Sequence, residues 1–385
     1  MYNILTLNKI AAVGLNNFDE NYNIAGEMAN PDGVVLRSFA MHDMEVPETL
    51  LAVARAGAGT NNIPVDAYKE KGIVVFNTPG ANANAVKELT IAGLFMASRD
   101  IAGAIDWAKT LKPEGDAVEK LVEKGKGAFA GCEIQGKTLG VIGLGAIGVM
   151  VANAAKALGM NVLGYDPYIS VDAAWHLSRS IVHVKDINDI YKQSDYITLH
   201  LPLTPDTTKM VAKEKFDMMK DGVRILNFSR NKLVDNEAML AALEAGKVAK
   251  YVTDFPDASL LEVKNVVAIP HLGASTEESE DNCAVMACKQ LKDYLENGNI
   301  VNSVNYPNCA MPRESDVRVC VLHKNVPNMI GQISSAIAGA GLNIANMLSK
   351  NKGDFAYSIL DVDGAADGVK AAIEAIEGVV KVRII

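Results

Sequence analysis

The chain has 385 residues, of which 49% are apolar and 22% charged, with a net charge of −9. That length exceeds one ordinary core, so two or three packed domains are expected rather than a disordered chain. The acidic balance argues against a nucleic-acid partner, whose binding domains carry a basic surplus. No uncharged apolar run approaches ~18 residues, which speaks against a membrane span.

In chain order, short apolar strands at 4–7, 33–36, 51–55 and 73–76 alternate with helical stretches, one of them at about 85–99. This reads as a small α/β domain. From about 136 to 270 the alternation continues, with strands near 139, 162, 181, 196, 223, 250 and 266. Seven such strands suit a doubly wound parallel sheet of the Rossmann type. A helix at about 277–297 follows too late to be one of that sheet's crossovers, and a return to the first domain would make that domain discontinuous.

The stretch 302–312, with Pro307, Asn308 and Pro312 among small polar residues, reads as a linker. Beyond it the pattern restarts as strand 317–323, helix 329–340, strands 345–349 and 355–362, helix 369–376 and strand 379–384. That is βαββαβ, the ferredoxin-like split. The expected layout is 1–100 with 283–304 as a flavodoxin-like α/β substrate domain and 101–282 as the dinucleotide domain. Residues 305–314 then form the linker and 315–385 the tail.

Gly143-Leu144-Gly145-Ala146-Ile147-Gly148 carries the clearest chemistry, lying between the apolar run 139–144 and an Ala-rich amphipathic segment. Strand, glycine turn and helix in that order match a dinucleotide fold: Gly143 for the tight turn, Gly145 for close approach to a pyrophosphate, Gly148 for helix packing. The amides of Ala146 and Ile147 at the helix start would hold the anion. Asp166 closes the next strand, where it would accept both ribose hydroxyls and repel a 2′-phosphate, favouring NAD.

The five cysteines are odd in number and include no Cys-x-x-Cys pair, so reduced thiols are expected. The six histidines show no metal-ligand spacing, and no metal is expected. Met1-Tyr2-Asn3-Ile4-Leu5 has neither the basic nor the apolar segment of a secretion signal, so the cytoplasm is the expected location.

Removing hydride from an alcohol requires a group to take its proton and a cation to hold the neighbouring carboxylate. His271 follows a strand and Pro270, which fixes the backbone before it. An imidazole with an unshifted pKa of about 6.5 exchanges protons near neutrality. Arg230 follows 225–229 at another strand mouth, where open α/β sheets bind ligands, and a guanidinium matches a carboxylate by two parallel bonds. The plain alternatives are a helix-capping histidine and a surface arginine.

Four ordered motifs resemble the D-isomer-specific 2-hydroxyacid dehydrogenases. They are the glycine stretch 131–145, His200-Leu201-Pro202-Leu203-Thr204, Asn227-x-Ser229-Arg230 with Val234-Asp235, and Pro270-His271-x-Gly273-Ala274-Ser275-Thr276. The resemblance implies that Arg230 orients the substrate carboxylate and His271 exchanges the C2 hydroxyl proton. It also implies cofactor contacts from His200, Pro202 and Asp254. The family's histidine is held by an acid, usually glutamate, but this chain is shorter there and reads Val252-Thr253-Asp254-Phe255-Pro256-Asp257. Asp257 is the candidate replacement, the alternative being that no residue takes the glutamate's place. Asn231 stands where the family has glycine, and asparagine tolerates a left-handed turn.

The loop Arg55-Ala56-Gly57-Ala58-Gly59-Thr60 is similar to the family's substrate loop, which implies carboxylate contacts from Gly57, Gly59 and Thr60. Arg37 matches an arginine that serves the phosphate in the phosphoglycerate-oxidising branch, and a dianion flanked by Arg37 and Arg55 would gain charge-assisted bonds. In the tail, His323-x-Asn325-x-Pro327-x-Met329 and Asn343 resemble an ACT domain, the amino-acid-sensing βαββαβ module, and the resemblance implies His323, Asn325 and Asn343 as its effector residues. Asn328 stands where many ligand-binding relatives have glycine.

Together these imply NAD-linked oxidation of 3-phospho-D-glycerate to 3-phosphohydroxypyruvate at the head of L-serine synthesis. The substrate is then a small anion, L-serine a candidate effector, and the assembly a homodimer or homotetramer. Action on another D-2-hydroxyacid, hydroxypyruvate reduction and an NAD-sensing binding protein are the alternatives.

Overall fold

The computed structural model describes residues 1–365 and 368–385 and divides into two compact units, Met1–Asn82 with Glu277–Ile385, and Ala83–Thr276. In the first unit, strands β1 (Tyr2–Leu7), β2 (Tyr22–Ala25), β3 (Gly33–Leu36), β4 (Ala52–Arg55) and β5 (Val74–Phe76) form a wholly parallel sheet. Its order, β2-β1-β3-β4-β5, is the flavodoxin-like one. β3 and β5 are apolar and buried throughout, as expected of parallel strands covered on both faces. The edge strand β2 was not legible, since only Tyr22 of its four residues is buried.

The second unit carries β6 (Thr138–Ile142), β7 (Asn161–Tyr165), β8 (Val182–His183), β9 (Tyr196–Leu199), β10 (Val223–Asn227), β11 (Val248–Thr253) and β12 (Val266–Ala268). All seven run parallel in the order β12-β11-β10-β9-β6-β7-β8, the doubly wound Rossmann arrangement with one strand added. The helix Ala146–Ala157 lays Gly148, Val149, Val151, Ala152 and Ala155 inward at helical spacing. The helix Ala83–Ser98, read from the sequence as the end of the first domain, belongs to this unit. Its Val86, Leu94 and Ala97 share a core with Val151, Leu226 and Phe228. A helical stretch that the sequence reading did not resolve, Ile101–Phe129, follows and buries almost nothing.

The tail adds β13 (Val317–Lys324), β14 (Asn343–Lys352), β15 (Phe355–Asp363) and β16 (Val379–Ile384), an antiparallel sheet ordered β14-β15-β13-β16. With helices Met329–Gly339 and Val369–Glu374 the element order is βαββαβ. Side chains alternate across this sheet. Val319, Val321, Leu360 and Val362 meet the two helices, while Cys320, Leu322, Tyr357 and Ile359 join the core of the five-stranded sheet. Asn328 caps the first of these helices with φ 62°, a left-handed position that asparagine tolerates.

The expected linker is therefore corrected. Asn305, Tyr306 and Cys309 are buried, and the Asn305 side chain accepts from the Val75 amide and donates to the Ile73 carbonyl, closing the open edge of β5. Its proline and asparagine content suggested a solvated tether, but the segment is a packed layer. Arg318, fully buried, pairs bidentately with Asp361 and donates to the carbonyls of Asn297, Met311 and Pro312. Arg383 donates to the carbonyls of Tyr294 and Leu295, near the end of the helix Glu277–Asn297. Guanidinium groups so placed complement the negative end of that helix.

Candidate active site at a sheet edge

Register assembles the site in the second unit. Tyr165, Ile142, Leu199, Asn227, Thr253 and Ala268 lie side by side across β7, β6, β9, β10, β11 and β12. The next residue of each strand, Asp166, Gly143, His200, Phe228, Asp254 and Ile269, therefore stands on one carboxyl edge. Open α/β sheets bind ligands at that edge, where the strand order reverses between β6 and β9.

The three glycines have different reasons to be there. Gly143 has φ 93°, and a Cβ on it would lie 2.3 Å from the His200 carbonyl oxygen. A Cβ on Gly148 would lie 1.9 Å from the Gly143 oxygen. Packing alone fixes both. Gly145 has φ −74° and nothing within 4 Å of a Cβ, so neither strain nor packing requires glycine there. It leaves bare backbone in front of a helix start with no side-chain cap, which fits a pyrophosphate.

Asp166 is held by the Leu144 and Tyr168 amides, one to each oxygen at 2.8 Å, so each oxygen keeps acceptor capacity for a ribose hydroxyl. His200 shares a 3.0 Å hydrogen bond between Nε2 and Thr198 Oγ1, while its Nδ1 is buried without a partner. Burial pushes this imidazole down to about 3, so it is neutral near pH 7. Pro202 is exposed just beyond it.

Asp254 is buried. Its Oδ2 accepts the Gly273 amide at 3.3 Å and its Oδ1 has no partner. Burial raises its pKa, against the opposing charges of His271 and Arg230. Those two residues are thus electrostatic neighbours of one carboxyl. A nicotinamide carboxamide, with two N–H donors, suits the orphaned Oδ1.

Arg230 is exposed, with Nη1 donating to the Ser229 carbonyl at 2.6 Å, and its own carbonyl accepts from Asn227 Nδ2 at 2.9 Å. Ser229 Oγ ties this turn to the Leu199 carbonyl. Asn231 opens a 3-10 turn and does not take the left-handed angles considered for it. His271 is exposed, its ring tilted against Phe255 at 4.5 Å between centroids.

Asp257 is corrected as the partner of His271. One of its oxygens accepts from the Ser259 amide and hydroxyl and the other from Asn236 Nδ2. Those bonds hold its pKa low and commit it to the surface loop. The place of the family's missing glutamate suggested Asp257, whereas it is buried Asp254 on which the charge of His271 acts.

In the first unit, Leu36 and Arg55 pair across β3 and β4, which sets Arg37 beside Arg55. Arg55 Nε donates to the Arg37 carbonyl at 3.0 Å, and Arg37 Nη1 meets Glu280 Oε1 at 2.7 Å. The Gly57 amide donates to Thr78 Oγ1 at 2.8 Å, and a Cβ on Gly57 would strike Arg55 Nη1 at 2.6 Å. Asn77 donates to the Ala58 carbonyl, and the Thr60 carbonyl accepts the Ile63 amide. Gly59 has only ordinary contacts. The ion pair with Glu280 was invisible to sequence reading, which had no signal joining residues so far apart.

In the tail, buried His323 bonds through Nδ1 to the Lys324 carbonyl and through Nε2 to Ser358 Oγ. Asn325 donates to the Gly353 carbonyl, and Asn343 donates to Asp363. His323 faces Ala356 and Asn343 faces Asp363, so a single chain holds them at opposite ends of β15. At 3.4 Å per residue that is roughly 24 Å.

Residues 92–273 match the NAD binding domain of the D-isomer specific 2-hydroxyacid dehydrogenases. A D-3-phosphoglycerate dehydrogenase of Methanocaldococcus jannaschii is 37% identical over 311 residues, which are 79% of this chain and 56% of that one. The chain likewise spans 60% of the length of an Archaeoglobus fulgidus relative of that name, to which it is 34% identical. The D-3-phosphoglycerate dehydrogenase of Escherichia coli is 30% identical over 352 residues, 88% of this chain and 82% of that one. A solved NAD+-bound 3-phosphoglycerate dehydrogenase of Entamoeba histolytica superposes with a TM-score of 0.61 at 26% identity, over 79% of this chain and 98% of that one. The chain belongs to the D-isomer specific 2-hydroxyacid dehydrogenase family and carries its NAD-binding domain.

Proposed function

We propose that the protein oxidises 3-phospho-D-glycerate to 3-phosphohydroxypyruvate with NAD. The observation that supports this reading is buried Asp254 at the carboxyl edge of a sheet whose glycine turn fits a pyrophosphate, with the charges of His271 and Arg230 acting on it. Relatives named for that reaction supply the substrate class. NAD, when bound, accepts the hydride from C2.

The chain's own residues do the rest. Arg230 holds the substrate carboxylate by paired N–H donors and draws charge from the forming carbonyl. His271 takes the C2 hydroxyl proton. Asp254 supplies the buried negative charge that acts on His271 once it is protonated. Gly57, Gly59 and Thr60 offer the substrate loop, and Arg37 with Arg55 receive the phosphate.

In the same reading the tail is an ACT-type module with L-serine as effector. Because one chain separates Asn343 from His323, an effector touching both requires a second tail beside the first, in a homodimer or homotetramer. Steady-state turnover with a panel of D-2-hydroxyacids, with and without L-serine, tests both parts. Preference for 3-phospho-D-glycerate and inhibition by L-serine are expected. Faster turnover of an unphosphorylated acid would overturn the substrate assignment, and indifference to L-serine would overturn the effector assignment.

A further inference from the structure

The ion pair between Arg37 and Glu280 sits where the proposed function places the phosphate. Arg37 leaves the end of β3, held next to Arg55 by strand register and by the Arg55 Nε bond to its carbonyl. Glu280 comes from the first turn of the helix Glu277–Asn297. Cys283, three residues on and so on the same helix face, lies within the field of both guanidinium groups.

The side chains of Arg37 and Glu280 are 40% and 45% exposed. Exposed pairs of this kind add little to stability, so packing does not account for the contact. A carboxylate on a guanidinium has the geometry a phosphate oxygen would take. Once displaced, Glu280 stays at a helix start, where negative charge is favoured.

We infer that Glu280 is an internal competitor for Arg37: its carboxylate occupies the guanidinium in the free protein and is exchanged for the substrate's phosphate on binding. This rests on the phosphoglycerate reading. The exchange weakens binding of the phosphorylated substrate and eases departure of the equally phosphorylated product. It leaves an unphosphorylated analogue untouched, since nothing in that molecule reaches Arg37.

The test compares wild type, Glu280→Gln, Arg37→Ala and the double variant. Glu280→Gln is expected to lower KM for 3-phospho-D-glycerate by about 1.5- to 5-fold, the scale of one exposed charge pair, and to leave KM for D-glycerate unchanged. In the Arg37→Ala background the same substitution should do nothing. A fall in KM for both substrates, no fall for either, or an effect that persists without Arg37 would overturn the inference.

Calorimetric titration of 3-phospho-D-glycerate into each protein separates this inference from the reading beneath it. Tighter binding by Glu280→Gln without NADH formation in wild type sinks only the oxidation. Unchanged binding sinks the competitor role even where turnover is normal.

Discussion

The carboxyl edges of the two parallel sheets treat their ionisable side chains differently. On the seven-stranded sheet, Asp254 Oδ1 and His200 Nδ1 are buried without partners, and Gly145 faces open space. On the five-stranded sheet the charges answer each other, Arg37 with Glu280 and Arg55 with the Arg37 carbonyl. Buried polar groups without partners are costly, and at an edge where ligands bind a bound group can supply the missing bond. An edge whose charges are already paired binds by exchange instead. In the proposed function the first edge is the cofactor seat and the second receives the substrate's phosphate.

The largest expected effect breaks the chemistry at the first edge. Arg230→Ala and His271→Ala should each lower turnover by roughly two to four orders of magnitude, measured as initial NADH formation. Near-normal turnover in either would remove that residue from its role.

The glycines sharpen the contrast between ligand and packing. Gly145→Val is expected to weaken NAD binding at least about tenfold, near 1.4 kcal/mol, with little change in Tm, because its backbone angles suit any residue and its Cβ direction is open. Gly148→Ala should instead lower Tm, since its Cβ would meet the Gly143 oxygen at 1.9 Å. Calorimetric titration and thermal melting of both variants decide the matter. Equal effects on both readouts would erase the distinction.

Smaller shifts follow from the two orphaned groups. Because burial raises the Asp254 pKa, ionising this carboxyl costs the folded state stability as pH rises through its folded value. Asp254→Asn should therefore raise the Tm of the NAD-free protein at neutral pH, by a margin that shrinks on acidification, while turnover falls. His200 has the complementary sign. Its folded pKa, near 3, lies below the ordinary value of about 6.5, so the unfolded chain binds the proton first and stability drains as pH falls below that value. His200→Gln should flatten this acid limb in urea melts taken from pH 7 to 4. An unchanged slope would contradict a buried neutral imidazole.

Much of the architecture was legible because near-continuous apolar runs mark strands buried on both faces, as in β6, β9 and β10 of the larger sheet. The edge strand Tyr22–Ala25 did not, being short and half polar. Residues 302–312 have the composition of a tether, yet Tyr306 and Cys309 fill the space between two sheets of the first unit. Composition reports what a segment contains and not what packs against it.

Within the site, Arg230 and His271 were legible as residues following strands. Which carboxyl feels the charge of His271 was not, because the side chain of Asp254 turns inward at the end of β11 while that of Asp257 is held in the loop beyond it. Asp257 is consumed by Ser259 and Asn236, and Asp254 turns inward beneath Gly273. The partner of Arg37 lies in a helix far along the chain, and such pairing is fixed only by the fold.

The most direct test of the account follows the C2 hydrogen of 3-phospho-D-glycerate carrying deuterium at that carbon. Transfer to the nicotinamide is predicted, with the label recovered in NADH, and with His271→Ala losing the transfer while still binding NAD. Label released to water, or wild-type protein that binds NAD and forms no NADH from this substrate at any pH, would contradict it.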